Sequence, residues 1–205
     1  MSPLEIAAVV VSILGVWLTV RRNFWCWPVS LLSVALYGRV FFLAKLYSDT
    51  ILQGVFGAFA VYGWWVWRSG VCDDGRVRVE TLTLKGRTAG LLAGVLGTLA
   101  LGGIMARYTD AAVPWLDAGL TSFSLVAQFW AARKCLQSWW MWIAVDVVYT
   151  GLFLTRSLYL TAALYSVFIF LAILGSRDWS KVQRAWRPDE EVPDGLRPVQ
   201  VEELD

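Results

Sequence analysis

Apolar residues along the chain fall into seven long runs separated by short polar breaks, at about 4–20, 25–43, 49–67, 88–106, 115–132, 139–155 and 158–175. A hydrocarbon core of about 30 Å is crossed by ~20 helical residues, so each run predicts a transmembrane helix. The stretch from Arg68 to Arg87 is polar and charged and predicts a loop. Beyond Trp186 the pattern stops. Residues 188–205 hold seven of the sixteen acids and three of the six prolines, which is the composition of a disordered tail.

Composition agrees with a chain that works inside a bilayer. Of 205 residues, 58% are hydrophobic and 17% charged, against about 25% charged in soluble domains. There is no histidine, which removes histidine-activated nucleophiles, histidine proton relays and histidine metal sites together. Cys26, Cys72 and Cys135 are scattered, with no CxxC. They predict single thiols, with neither a disulfide framework nor a metal cluster. No cofactor and no nucleic-acid partner is expected. Glu5 sits where a cleavable signal would carry its basic region, and the first apolar run leads on into further spans.

The basic residues are unevenly placed. With seven spans, Arg21, Arg22, Arg68, Arg76, Arg78, Lys85, Arg87, Arg133, Lys134, Arg177, Lys181, Arg184 and Arg187 share one side, and Lys45, Arg107 and Arg156 the other. Arg39 lies within a span and snorkels toward the side of Lys45. Positive charge marks the cytoplasmic face, so the N-terminus is expected outside and the C-terminus in the cytoplasm.

Slid against itself by 112 residues, the chain overlays SILGVWLTVRR (12–22) on SLVAQFWAARK (124–134). Ser12 meets Ser124, and Arg21–Arg22 meet Arg133–Lys134. A shift of three more brings Trp25 and Trp27 onto Trp140 and Trp142. The frame of 112 then overlays Leu46–Tyr47 on Leu158–Tyr159, Gly63 on Gly175 and Trp67 on Trp179. This predicts two parallel three-helix repeats joined by the fourth span, an arrangement used by transporters that hold substrate near the midplane where the halves meet. The fourth span carries Gly90, Gly94, Gly97, Gly102 and Gly103. Its GxxxG spacing points to close helix packing.

Within the spans, away from their ends, Asp146 is a lone carboxylate. An acid there costs ~2.5–3.5 kcal/mol on insertion scales and usually marks a functional site. Trp139, Trp142, Asp146 and Tyr149 follow at i, i+3, i+7 and i+10, on one helical face. Such a face suits an organic cation bearing a ring, since each indole contributes ~0.5–2 kcal/mol of cation–π attraction. The carboxylate balances the charge or accepts a sugar hydroxyl. Alternatively, Asp146 pairs with a hydroxyl or an arginine as packing glue, and the tryptophans form an interfacial belt. Gln53, Gln128, Trp64, Trp67 and Tyr165 are further polar or aromatic candidates, open to a binding or a packing role.

The segments NFWCWPVSLLSVALYG (23–38), LYSDTILQ (46–53), YGWWVW (62–67), SLVAQFWAARK (124–134), WWMWIAVDVVY (139–149), LYLTAALYSVF (158–168) and LGSRDW (174–179) together resemble the PnuC family of bacterial vitamin transporters. The resemblance spans residues 5–180. It implies an all-α, SWEET-like membrane fold: a first repeat at 1–68, a cytoplasmic loop at 69–87, a linker helix at 88–108, a second repeat at 109–180 and a cytoplasmic tail at 181–205. It implies facilitated uptake of nicotinamide riboside as an NAD precursor across the bacterial cytoplasmic membrane, by a homo-oligomer, expected to be a trimer. The family's WxxWxxx[N/D] pattern maps onto Trp139, Trp142 and Asp146, and its third-span glutamine onto Gln53. Some members carry an amide where this chain has Ser30. Relatives carry thiamine, riboflavin or deoxynucleosides, so thiamine or another vitamin is the first alternative solute. A structural membrane protein without transport is the next. With no phosphate-binding loop and no catalytic dyad, neither ATP use nor enzymatic activity is expected.

Overall fold

The computed structural model describes residues 3–43, 47–70, 77–109 and 113–185. Lys45, Leu46, Cys72, Arg76, Arg187 and the acidic tail at 188–205 lie outside them. The described residues form seven helices: α1 (Pro3–Val20), α2 (Cys26–Leu43), α3 (Tyr47–Arg68), α4 (Leu84–Tyr108), α5 (Pro114–Ala132), α6 (Gln137–Thr155) and α7 (Tyr159–Ala185). Four of them, α1, α2, α4 and α7, are long and apolar enough to cross a membrane on length and composition. The other three are as long, with 22, 19 and 19 residues. They are more polar because they carry Asp49 and Arg68, Asp117 and Gln128, and Asp146 and Gln137.

Two boundaries depart from the apolar pattern. The expected loop at 69–87 is shorter, because α4 begins at Leu84. Thr83 caps that helix, its hydroxyl accepting from the Gly86 N–H at 3.2 Å. α7 continues past residue 175 to Ala185. Its extension is mostly polar, and the one aromatic residue in it, Trp179, is buried.

The chain forms two compact units. The first holds α1–α3, the segment through Glu80, Ala132–Lys134 and α7 from Arg177. In it α1 packs on α2 and α2 on α3. α1 stops at Arg22, which adopts φ 57°. The Asn23 N–H reaches back to the Leu18 carbonyl and the Arg22 N–H to the Thr19 carbonyl, each at 3.0 Å. Glycine usually makes this doubly bonded stop. α5 stops the same way at Lys134, with φ 60° and the Cys135 N–H on the Trp130 carbonyl at 2.9 Å.

A side chain at positive φ costs about 1–2 kcal/mol, and both residues use theirs. Arg22 Nη1 donates to the Val77 carbonyl at 3.3 Å, and Lys134 Nζ lies 3.8 Å from a Glu80 carboxylate oxygen. The extended residues 77–80 form a strap between the two corners. The Val77 N–H donates to the Arg22 carbonyl at 3.1 Å, and the Glu80 N–H to the Lys134 carbonyl at 2.9 Å.

Two indoles complete the same region. Trp67 Nε1 donates to the Ala132 carbonyl at 3.1 Å, and Trp179 Nε1 to the Thr19 and Val20 carbonyls at 3.2 Å. Each satisfies carbonyls that a helix end leaves free. The two rings lie 5.9 Å apart, and Trp27 meets Trp67 edge-on at 5.5 Å.

The second unit holds α4, α5 through Ala131, α6 and α7 through Ser176. Here the glycines of α4 receive side chains of α5. A Cβ at Gly90 would collide with Trp130 and one at Gly102 with Trp115. At Gly94 it would lie 2.5 Å from Phe123, and at Gly97 2.9 Å from the Ser122 hydroxyl. The close approach expected from GxxxG is thus ring against backbone. Leu92, Leu96, Leu99 and Ile104 on α4 are exposed and suit lipid.

One part of the sequence repeat is corrected. No shift of three occurs between α1 and α2. Trp27 corresponds to Trp139 at the constant spacing of 112, since the Trp27 N–H bonds the Phe24 carbonyl and the Trp139 N–H the Leu136 carbonyl, at 3.3 and 3.2 Å. Arg22 and Lys134, Val20 and Ala132, and Trp67 and Trp179 hold the same spacing and make the matching contacts given above. The overlay of Trp25 on Trp140 matched two exposed rings.

The Trp179→Phe variant removes one indole donor from the end of α1. It should lower stability by about 1–3 kcal/mol, the cost of leaving buried acceptors unmet. Thermal unfolding in detergent checks this, and Trp67→Phe should behave alike.

Candidate functional site

The site is built on α6. Ser138 opens the helix, its hydroxyl donating to the Cys135 carbonyl at 2.8 Å. The face expected from the spacing points into protein. Trp139 and Asp146 are buried and Trp142 and Tyr149 half-buried, whereas Trp140, Val147 and Val148 on the other side are exposed. Asp146 is 5% exposed. Among the described residues no hydrogen bond or ion pair reaches its carboxylate. The Thr150 hydroxyl bonds the backbone carbonyl of Asp146 at 2.8 Å and leaves the carboxylate alone. The glue alternative therefore lacks its partner here.

Tyr149 joins an aromatic cluster between α6 and α7. Its ring stacks on Phe153, one turn on, at 5.7 Å. Tyr165 of α7 packs on both, at 5.0 Å from Tyr149 and 5.1 Å from Phe153, and Phe168 meets Tyr165 edge-on at 5.8 Å. Tyr149 and Tyr165 are thus brought together, with Phe153 and Phe168 as members that the sequence did not single out. Gln128 on α5 is half-buried.

In the first unit, Gln53 on α3 is half-buried. Gly38 of α2 leaves room for it, with a Cβ there 3.7 Å from the Gln53 Cβ. Trp64 is 39% exposed and presents an open face. Trp67 is 0% exposed and its N–H is taken by Ala132. It is enclosed by protein, and its place is that of a packing and capping residue.

Trp139 is also enclosed, at 3% exposed. Its ring lies against Gly175 of α7, where a Cβ would stand 2.6 Å from the ring carbons. Trp27 lies against Gly63 of α3 in the same way, at 2.5 Å. The sequence contained both pairs at the spacing of 112, but the identity of each partner emerges only from packing. Cys26 and Cys135 are both buried. Among the described residues no group of three or more His, Cys, Asp or Glu is placed to hold a metal ion.

Known proteins share this architecture. Residues 2–181 match the nicotinamide mononucleotide transporter family. The riboflavin/roseoflavin transporter RibM of Streptomyces davaonensis is 32% identical over 163 residues, covering 78% of this chain and 76% of RibM. The nicotinamide riboside transporter PnuC of Escherichia coli strain K12 is 25% identical over 174 residues, 73% of each chain. The crystal structure of the vitamin B3 transporter PnuC superposes with a TM-score of 0.74 at 23% identity, covering 89% of this chain and 82% of that one, and shows the fold to be shared. An all-α, multi-pass architecture and a match along nearly all of the described residues lead to one conclusion: the chain belongs to the nicotinamide mononucleotide transporter family, the PnuC family of membrane transporters.

Proposed function

We propose that this protein is a facilitative transporter that takes up nicotinamide riboside across the bacterial cytoplasmic membrane, supplying an NAD precursor. The observation that carries the proposal is the buried Asp146 carboxylate, unpartnered among the described residues, one turn from the half-buried Trp142. A carboxylate in that setting is costly unless something completes it. A pyridinium bearing a ribose does so, with its charge on Asp146, its ring on indole and its hydroxyls on amides. Trp142, Asp146 and Gln128 are the residues proposed to meet it. Tyr149 and Tyr165 support them as members of the aromatic cluster. We infer further that α1–α3 and α5–α7 are copies of one three-helix repeat with α4 as linker, in keeping with the contacts matched at 112. The protein works as a homo-oligomer.

A second reading has a specific observation behind it. The relative at 32% identity carries riboflavin, whose flavin ring is uncharged and whose ribityl chain offers hydroxyls. Asp146 separates the two solutes. Asp146→Asn keeps hydrogen bonding and removes the charge. For nicotinamide riboside it should weaken binding by tenfold or more, or ~1.4 kcal/mol, and for riboflavin by less than threefold. Calorimetry with both vitamins and thiamine on purified protein decides the solute. Trp142→Ala should cost about 1–3 kcal/mol for any ring-bearing solute. Unchanged affinity in both variants would remove the site from α6.

Two further outcomes are expected. Proteoliposomes without an ion gradient should fill with labelled solute to the outside concentration and no further. A fluorescent protein fused at the C-terminus should fold and fluoresce, and alkaline phosphatase fused there should be inactive, as the basic bias requires.

A further inference from the structure

Residues 112 apart in the two proposed copies are either alike or unlike, and the difference sorts the aromatic residues of α6. Trp139 has a counterpart in Trp27, and its neighbour Gly175 has one in Gly63. The contacts also match. A Cβ at Gly63 would lie 2.5 to 2.6 Å from the Trp27 ring, and one at Gly175 2.6 to 2.7 Å from the Trp139 ring. Both indoles are enclosed, at 3% exposed each. Trp142 and Asp146 have no such counterparts, since Ser30 and Val34 stand in their places. The indole on glycine therefore occurs where no carboxylate follows it, so its presence is explained without a solute.

We propose that Gly175 and Trp139 are a positioning pair for solute recognition, and that Trp139 itself contacts no solute. Because Gly175 has no side chain, the Trp139 ring lies flat on the α7 backbone. That seat fixes the distance and rotation of α6 against α7. Trp142 and Asp146 follow on the same face of α6, so the seat decides where they stand. In a bilayer the fit of ring to backbone is a main source of helix association, because lipid is as apolar as the side chains. A methyl group at 175 would overlap the ring and push α6 away or turn it. The inference rests on the reading of Trp142 and Asp146 as the solute-binding face.

The test uses full-length protein in detergent, with melting temperature and affinity for nicotinamide riboside and for riboflavin measured side by side. Gly175→Ala should lower the melting temperature and weaken binding of the preferred vitamin at least tenfold. Adding Trp139→Phe, whose smaller ring clears the new methyl, should restore the melting temperature and bring affinity within threefold of wild type. Gly63→Ala makes the same collision in the other copy. It should lower the melting temperature and leave affinity within threefold.

Equal loss of affinity in Gly63→Ala and Gly175→Ala would overturn the proposal, since any packing defect would then suffice. A double variant that recovers stability but not affinity would also overturn it, because Trp139 would then touch the solute. If Gly175→Ala does not fold, Trp139→Phe alone decides: affinity within threefold supports the proposal and a tenfold loss refutes it. A wild-type protein that binds neither vitamin refutes the functional reading instead. The recovery of melting temperature in the double variant would still report whether ring and glycine are coupled.

Discussion

A tryptophan ring laid on a glycine is the contact on which the rest of this structure depends. It occurs at Trp27 on Gly63, Trp139 on Gly175, Trp130 on Gly90 and Trp115 on Gly102, with Phe123 on Gly94 as a smaller version. Inside a bilayer, helices gain little from hydrophobic burial, because lipid tails are as apolar as leucine. What remains is dispersion, which needs close and extensive contact. An indole offers the largest flat surface among side chains, and glycine is the residue that lets it reach a backbone. The aromatic share of 15% and the 17 glycines are thus two sides of one packing solution.

The helix ends pose a second constraint. Carbonyls at the C-terminus of a helix lack partners, and leaving them bare in an apolar setting is costly. α1 and α5 solve this twice over. Arg22 and Lys134 turn the chain at positive φ, and indole N–H groups of Trp179 and Trp67 reach the last carbonyls. The donors are exchanged: α7 serves α1, and α3 serves α5. Between the corners, residues 77–80 bond both Arg22 and Lys134. A segment that reads as part of a polar loop therefore has a fixed place, because its backbone groups and the side chains of Arg22 and Glu80 are committed.

Against this shared framework, differences between residues 112 apart become informative. Where the chain repeats itself, as in Trp27 and Trp139 or Tyr37 and Tyr149, each with a stacked phenylalanine one turn on, a common structural demand is enough explanation. Where it does not, as in Ser30 against Trp142 and Val34 against Asp146, something beyond the fold is required. A carboxylate in an apolar helix is the costliest of these departures. It is also the one without a partner among the described residues. Membership of a transporter family supplies the general use for such a group.

The amino-acid sequence determined the seven helices, since apolar runs of span length permit little else in an apolar solvent. It also determined the inward aromatic face of α6 with its single acid, because helical periodicity alone places those residues together. It held the recurrence at 112 but not its unbroken register, as several tryptophans near residue 25 offered equal matches. Tertiary structure alone decided which indoles are enclosed and which keep part of their surface open. Trp67, Trp139 and Trp142 have the same size and polarity in sequence. Only the glycine across from Trp139, and the carbonyl at the end of α5 that takes the N–H of Trp67, separate them from Trp142, because a role set by packing belongs to a pair and not to a residue.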